Sequence, residues 1–266
     1  MQALGTSIEN QPELLPVRLF FAARPEVNQA ALAEALRQSV GPVDTPDSGQ
    51  VFFFPTYPAS FADAQSVPTS VMLTAVAPLS QGEQLTPARQ QSWHWPEVGA
   101  TLATCQYEII LTDFMTRALP HLERVALLNK VLDALLPVLR PQVLYFPSSQ
   151  KLLDPQAYLA RGAEALSGLL NVRFYNIANS DAQEMLMDTL GLHALGLPDF
   201  QLRFADLDPG QVAGQLTSYA YYLFENGPVI EDGNTIQGLT PETQWHCYYE
   251  QAGVAPTRTV IELEAD

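Results

Sequence analysis

Basic residues are scarce in this chain of 266 residues, where lysine and arginine together number 13 and lysine occurs only as Lys130 and Lys151. The 29 acidic residues outnumber them, and the formal net charge at pH 7 is −16. Charged residues make up 16%, below the roughly 25% of typical globular domains, so the negative charge reflects a lack of cations. Because nucleic-acid binding requires a cationic face that neutralises phosphates, we predict no nucleic-acid partner.

Disulfide frameworks and long apolar runs are also missing. The two cysteines, Cys105 and Cys247, are too few for such a framework, so we interpret both as small buried groups in a reducing compartment. No apolar run approaches the ~20 residues that span a bilayer, and residues 1–16 lack the basic start and apolar core of a secretory signal. We therefore expect a soluble cytoplasmic protein without membrane segments, and its oligomeric state stays open.

Common catalytic and cofactor motifs are absent as well. The sequence has no glycine-rich phosphate loop, no Gly-x-Ser-x-Gly turn, and no His-x-x-x-His or Cys-x-x-Cys pair of metal ligands. We therefore expect neither a cofactor nor a metal ion.

The order of helix and strand patterns predicts an α+β fold. Over residues 17–116 it reads β-α-β-β-α-β, which is typical of a ferredoxin-like sandwich, and residues 1–16 precede it as an N-terminal arm. Residues 117–266 form an acidic α/β half that ends in antiparallel strands. The two halves could share one sheet and form one continuous domain.

The C-terminal half contains the helix with the clearest start and stop signals. Asp208-Pro209-Gly210-Gln211 combines a capping residue, a proline at the first helical position and a glutamine three residues after the cap. Asn226-Gly227-Pro228 then terminates the predicted helix.

Two shorter elements of this half are predicted from local signals. Asp181 with Glu184 has the spacing of a capping box and predicts a short helix that ends near Gly191. Asp232-Gly233 between residues 229–230 and 235–236 predicts a tight hairpin.

Asp188, His193 and Asp199 form the most suggestive polar cluster. A histidine between two carboxylates is suited to proton transfer or metal binding, and it makes a hydrolase or metal-dependent enzyme the alternative function. In the simpler interpretation, which we prefer, Asp188 caps or pairs locally, His193 lies in a surface turn, and Asp199 positions the next strand.

Two other features suggest surfaces that bind a partner. Trp93 and Trp95 are either an exposed aromatic anchor or core residues beneath a loop, and core packing is the commoner use. From Phe174 to Asp266, 14 acids accompany only two bases, Arg203 and Arg258. This surplus either keeps the protein soluble or steers a basic protein partner toward it. The carboxylates that we expect to steer such a partner are those of Asp206, Asp208, Glu231 and Asp232.

Three segments together resemble a known bacterial family. They are Trp93-His94-Trp95-Pro96 with the following stretch to residue 112, residues 187–192 with 196–199, and residues 225–228 with 232–238. The pattern is similar to the family catalogued only as domain of unknown function 4261, over most of the chain from Val17 onward. The resemblance implies a bacterial origin but no mechanism.

The function that we predict is a non-enzymatic protein-binding or regulatory module with an acidic surface.

Overall fold

The fold is given by a computed structural model that describes residues 10–46, 50–60, 66–80, 85–178 and 184–265. Helices contain 31% of the residues and strands contain 32%, and the strands form two separate sheets. This mixed content confirms the α+β class. The chain divides into two compact units: one is Leu14–Leu169, and the other combines Met1–Glu13 with Leu170–Asp266.

The first unit contains seven of the described strands. Its helices are α1 (Gln29–Val40), α2 (Thr86–Gln90), α3 (Val98–Thr104), α4 (His121–Leu139) and α5 (Pro155–Leu159). Its strands are β1 (Val17–Phe21), β2 (Val51–Ser60), β3 (Ser66–Leu73), β4 (Ala77–Pro78), β5 (Tyr107–Phe114), β6 (Val143–Phe146) and β7 (Lys151–Leu153). The sheet order is β2-β3-β5-β1-β6-β7, with β4 beside β5, and every pair is antiparallel.

The predicted ferredoxin-like arrangement is not confirmed by this sheet order. A ferredoxin-like sheet is antiparallel and places its first strand between the third and the fourth. Here β5 lies between β1 and β3, and β1 pairs antiparallel with both β5 and β6. Because β6 joins the same sheet, the expected boundary between residues 116 and 117 falls inside this unit.

The second unit is a six-stranded sheet with one long helix. Its strands are β8 (Asn171–Asn176), β9 (Met185–Leu190), β10 (Asp199–Phe204), β11 (Thr235–Gln237), β12 (Gln244–Gln251) and β13 (Thr259–Ala265), and its helix is α6 (Pro209–Asn226). The sheet order is β11-β12-β13-β10-β9-β8, in which only β10 and β13 run parallel. The chain ends in the antiparallel pair β12–β13, as predicted.

Two of the shorter elements predicted in this unit are wrong. Met185–Leu190 is the strand β9 rather than a helix, because it lies between β8 and β10 and pairs antiparallel with both, which buries every residue after Met185. Asp181, the proposed cap of that helix, lies outside the described residues. The strand β11 pairs with β12 and not with residues 229–230, and Gly233 donates its N–H to Cys247 across the turn.

Helix α6 covers one face of this sheet and leaves the other face polar. Tyr219 of α6 contacts the ring of Phe200, at 5.6 Å between centroids, and that of Trp245, at 6.3 Å. Because side chains alternate along a strand, Gln201 next to Phe200 points to the opposite face. Its neighbour there is Glu262, to which the Gln201 amide donates a hydrogen bond.

The start of α6 permits a direct test of the local sequence signal. The Asp208 carboxylate accepts a hydrogen bond from the backbone N–H of Gln211, at 2.8 Å, as the capping pattern predicts. We expect Asp208→Ala to lower the free energy of unfolding by about 1 kcal/mol because that N–H loses its partner. Urea denaturation measures the loss, and Asp208→Asn, which retains the acceptor, should restore most of it. Equal stability of the alanine variant and the parent would contradict the capping role.

The burial of both cysteines agrees with their interpretation as small buried groups. Cys105 and Cys247 are both buried and unlinked. Among the described residues, no helix combines the length and apolar character that crossing a membrane requires.

Candidate functional site

The three polar residues singled out from the sequence meet in one buried network of the second unit. Asp188 lies on β9, and Asp199 begins β10, the strand paired with it. His193 lies in the 3-10 helix Leu192–Leu195, which connects these two strands. At 6% exposure His193 is buried, so the interpretation that places it in a surface turn is wrong.

Asp188 is held by two arginines. The Arg173 guanidinium donates to both carboxylate oxygens, from Nε at 2.9 Å and from a terminal nitrogen at 2.5 Å. A terminal nitrogen of Arg258 donates to Oδ2 of the same carboxylate at 2.6 Å. All three side chains are buried, so the two cations offset the cost of removing the Asp188 charge from water.

Asp199 accepts hydrogen bonds from four kinds of donor. These are Nδ1 of His193 at 2.9 Å, Nε of Arg258 at 3.1 Å, the hydroxyl of Thr189 at 3.1 Å and the backbone N–H of Leu192 at 3.1 Å. Burial by itself raises the pKa of the Asp199 carboxyl, but the His193 hydrogen bond and the nearby charges outweigh burial and lower the pKa. Asp199 therefore stabilises the fold above its ordinary pKa of about 3.9, and this contribution is lost as the pH falls through the lowered value.

Arg173 and Arg258 also donate hydrogen bonds to the loop that leads into β13. Arg173 donates to the carbonyl of Ala255 at 2.8 Å, and Arg258 donates to the carbonyls of Val254 and Pro256 at 3.1 and 2.9 Å. The network thus connects β8, β9 and β10 to residues 254–258 through charge-assisted hydrogen bonds, which are stronger than neutral ones.

This geometry is better suited to stabilising the unit than to catalysis. Each oxygen of Asp188 and Asp199 already accepts at least one hydrogen bond from the protein. A nucleophilic mechanism requires a hydroxyl or thiol next to the histidine, and among the described residues none hydrogen-bonds to His193. The described residues also contain no group of three or more His, Cys, Asp or Glu side chains that could hold a metal ion.

Sequence reasoning missed the two arginines of the network. Arg173 and Arg258 were counted only as part of the charge balance, Arg258 inside the acidic stretch and Arg173 directly before it. An arginine flanked by Val172 and Phe174 in a strand is a usable signal, because a buried guanidinium requires a carboxylate partner.

The four predicted steering carboxylates are all exposed, but they lie at two ends of α6. Asp206 and Asp208 precede the helix, whereas Glu231 and Asp232 follow it. A helix of 18 residues is about 27 Å long. Asp208 caps α6, and Asp232 accepts the N–H of Tyr249 at 2.7 Å, so these two also have structural roles.

A second group of carboxylates lies on the polar face of the sheet. Glu262 of β13 is paired in register with Tyr248 of β12, and Glu264 and Glu250 follow on the same face. Burial raises the pKa of the Glu262 carboxyl, and the charges of Glu250 and Glu264 raise it further, against the Gln201 hydrogen bond and Arg203. We call Glu250, Glu262 and Glu264 the acidic sheet cluster.

Comparison with family models identifies a large part of this unit. Residues 188–264 match the model of the domain of unknown function (DUF4261). The match confirms the family resemblance in the C-terminal part of the chain. No curated protein and no solved structure matches the chain.

The DUF4261 segment contains most of the features described above. It begins at Asp188 and includes His193, Asp199 and Arg258, with Arg173 as the one network member outside it. It also includes the whole acidic sheet cluster and α6. The segment thus combines a buried charge network with an exposed acidic face.

The two tryptophans lie outside the DUF4261 segment and differ from each other. Trp93 is 62% exposed, whereas Trp95 is half-buried and packs against a core cluster that includes Leu102 and Val143. The core interpretation is therefore supported for Trp95 but not for Trp93. Both line a cleft of about 470 Å³ between α2 and α3.

Proposed function

We propose that the C-terminal unit is a protein-binding module whose acidic surface binds a basic protein. Among the described residues from 170 to 265, the exposed carboxylates far outnumber the single exposed base, Arg203, because Arg173 and Arg258 are buried in the network. This imbalance is the observation that carries the proposal. The exposed acids are Glu184, Asp206, Asp208, Glu225, Glu231, Asp232, Glu242, Glu250 and Glu264.

Within this surface, the acidic sheet cluster is the docking site that the geometry favours. Burial raises the pKa of Glu262, and the charges of Glu250 and Glu264 add to this effect, so a lysine or arginine placed beside the cluster would relieve the repulsion among these carboxylates. Tyr248 and His246 lie on the same face with their rings stacked at 6.4 Å, and they supply the aromatic area that protein interfaces commonly use. Asp206 and Glu231 extend the negative field beyond the cluster.

The enzymatic alternative has less support. Its candidate residues, Asp188, His193 and Asp199, come together, but the carboxylates are already neutralised by Arg173 and Arg258. Protein binding does not require Asp188, His193 and Asp199 to be free of partners, because it uses carboxylates that are exposed to solvent.

The proposal is tested by capture and by association kinetics. The full-length chain captures proteins from an extract of its native host at low salt, and the most basic captured protein is purified. We expect its association rate with the parent to fall steeply as salt rises, because the Debye length is only about 8 Å at physiological ionic strength. In Glu250→Gln/Glu264→Gln we expect the low-salt rate to be about tenfold lower.

The matched control replaces two exposed acids of the first unit. Glu26→Gln/Glu123→Gln removes the same charge from the whole chain but leaves the acidic sheet cluster intact. Its association rate should stay within about twofold of the parent rate, since every carboxylate of the acidic sheet cluster is retained. The proposal is wrong if no basic protein is captured, or if both double variants slow association equally.

A further inference from the structure

A cleft on the surface of the first unit has the size of a small-molecule site. It lies between α2 and α3, and its volume of about 470 Å³ is within the range of about 300–1,000 Å³ that ligand pockets occupy. Its lining includes Arg89, Gln90, Trp93, Trp95, Val98 and Gly99. The apolar part of the lining comes mainly from the two tryptophans, and about half of the lining is polar.

The two tryptophans provide one fixed wall and one accessible ring. Trp95 is held by the core cluster behind it, so its position is set by packing. Trp93 is 62% exposed, and its ring meets that of His94 edge-on rather than being covered by apolar neighbours. An exposed indole beside a cleft offers a flat apolar surface on which a planar group can stack.

Arg89 places a positive charge in the same cleft. A β-carbon built on Gly99 would lie 3.4 Å from a terminal nitrogen of Arg89, so the guanidinium rests over the glycine where a side chain would otherwise stand. No ion pair or side-chain hydrogen bond of Arg89 occurs within the described part of the chain. In a protein with a net charge of −16, this cation remains available to an anion.

We propose that this cleft binds a flat organic anion that carries one carboxylate. The planar ring stacks on Trp93, and the carboxylate accepts two parallel hydrogen bonds from Arg89. A single carboxylate is favoured because Arg89 is the one charged side chain among the described residues that line the cleft. The site lies outside the DUF4261 segment, so it does not depend on the protein-binding role proposed for the C-terminal unit.

Three probes distinguish the contribution of the ligand's charge to binding from the contribution of its flat ring. The probes are 2-naphthoate, its neutral amide 2-naphthamide, and cyclohexanecarboxylate, which keeps the charge without a planar ring. Binding is followed by the indole N–H signals of the three tryptophans in nitrogen-15 NMR spectra of the full chain. We expect 2-naphthoate to shift the signals of Trp93 and Trp95 but not that of Trp245, which is buried in the other unit.

The affinities should follow the proposed contacts. We expect 2-naphthamide to bind about tenfold more weakly than 2-naphthoate, since it lacks the charge-assisted hydrogen bonds. Cyclohexanecarboxylate should bind about fivefold more weakly, since it cannot stack as a flat ring.

Two variants change the cleft in different ways. Arg89→Gln should weaken 2-naphthoate about tenfold and leave 2-naphthamide unchanged. Gly99→Leu fills the space beneath the guanidinium without removing a binding group, and it should abolish binding of all three probes; α3 tolerates leucine well. The control Arg117→Gln, an exposed arginine of the same unit, should bind like the parent.

The outcomes decide the proposal in either direction. Shifts confined to Trp93 and Trp95, together with the charge-selective loss in Arg89→Gln, support it. Equal affinity for the naphthoate and the amide, undiminished binding in Gly99→Leu, or absence of any shift at millimolar probe would overturn it. The unchanged Trp245 signal in each variant reports that the other unit remains folded, and the circular dichroism spectrum reports on the whole chain.

Discussion

Replacing Arg258 with methionine is expected to lower the free energy of unfolding of the second unit by about 3–5 kcal/mol. Arg258 contacts both buried aspartates, Asp188 at 2.6 Å and Asp199 at 3.1 Å. Without it, Asp199 loses the guanidinium that hydrogen-bonds to it, and the carbonyls of Val254 and Pro256 lose their donor. Since whole domains are stable by only about 5–15 kcal/mol, this loss would bring the unit close to unfolding.

The measurement combines urea denaturation with amide hydrogen exchange read by mass spectrometry. Exchange should accelerate throughout β9, β10 and β13, which the network connects, and peptides of the first unit serve as an internal reference. Arg203→Met is the matched control, because Arg203 is exposed on β10 and its loss should change stability by less than about 0.5 kcal/mol. Equal effects of the two substitutions would show that the network does not stabilise the unit.

The variant Arg258→Lys distinguishes the effect of the positive charge on stability from the effect of the guanidinium geometry. Lysine retains the positive charge but lacks the planar fork that bridges two carboxylates. We therefore expect a stability between those of the parent and the methionine variant, and this comparison is part of the same denaturation series.

Replacing Arg124 with methionine is expected to destabilise the first unit by a similar amount, about 3–5 kcal/mol. Arg124 of α4 donates two hydrogen bonds to Oδ2 of Asp113 at the end of β5, at 2.7 and 3.0 Å, and both side chains are buried. Asp113 also accepts the hydroxyl of Thr116 and the N–H of Leu15, so its carboxylate cannot turn toward solvent without breaking both contacts. The substitution thus leaves a buried charge without its cation.

The same denaturation and exchange experiments test this second network. Faster exchange is expected in β5 and α4, with peptides from residues 184–265 as the reference. Arg117→Met removes an exposed arginine of the 3-10 helix Thr116–Ala118, which makes no ion pair within the described residues, and it should be nearly neutral. A destabilisation below about 1 kcal/mol in Arg124→Met would contradict the role assigned to this pair.

The features that the sequence predicted well depend on neighbouring residues. Asp208, Pro209 and Gly227 act within one helical turn of the ends of α6, so the helix has the predicted start and stop whatever packs against it. The β12–β13 pair was recognised in the same way, from two runs of strand-forming residues. The helix predicted to end near Gly191 is wrong because a local capping signal does not show that Met185–Leu190 pairs with β8 on one side and with β10 on the other.

The candidate site was predicted only in part. Proximity in the sequence was enough to suggest that Asp188, His193 and Asp199 lie together in the fold. Their cationic partners could not be predicted in this way, because Arg258 reaches Asp188 across 70 residues and Arg173 reaches it from the neighbouring strand. The acidic sheet cluster was missed for the same reason, since Glu250 and Glu262 become neighbours only through the register of β12 and β13.

By itself, the sequence determined the charge imbalance of the C-terminal part, the α+β class and the local signals of α6, because composition and short-range contacts do not depend on the fold. Only the tertiary structure decided which charges are exposed and which are neutralised. Arg203 remains in solvent while Arg258 is buried between two aspartates, and Trp93 is exposed while Trp95 packs on the core. The physical reason is that burial and ion pairing arise from strands and helices distant in the chain, and their register fixes which partner each side chain meets.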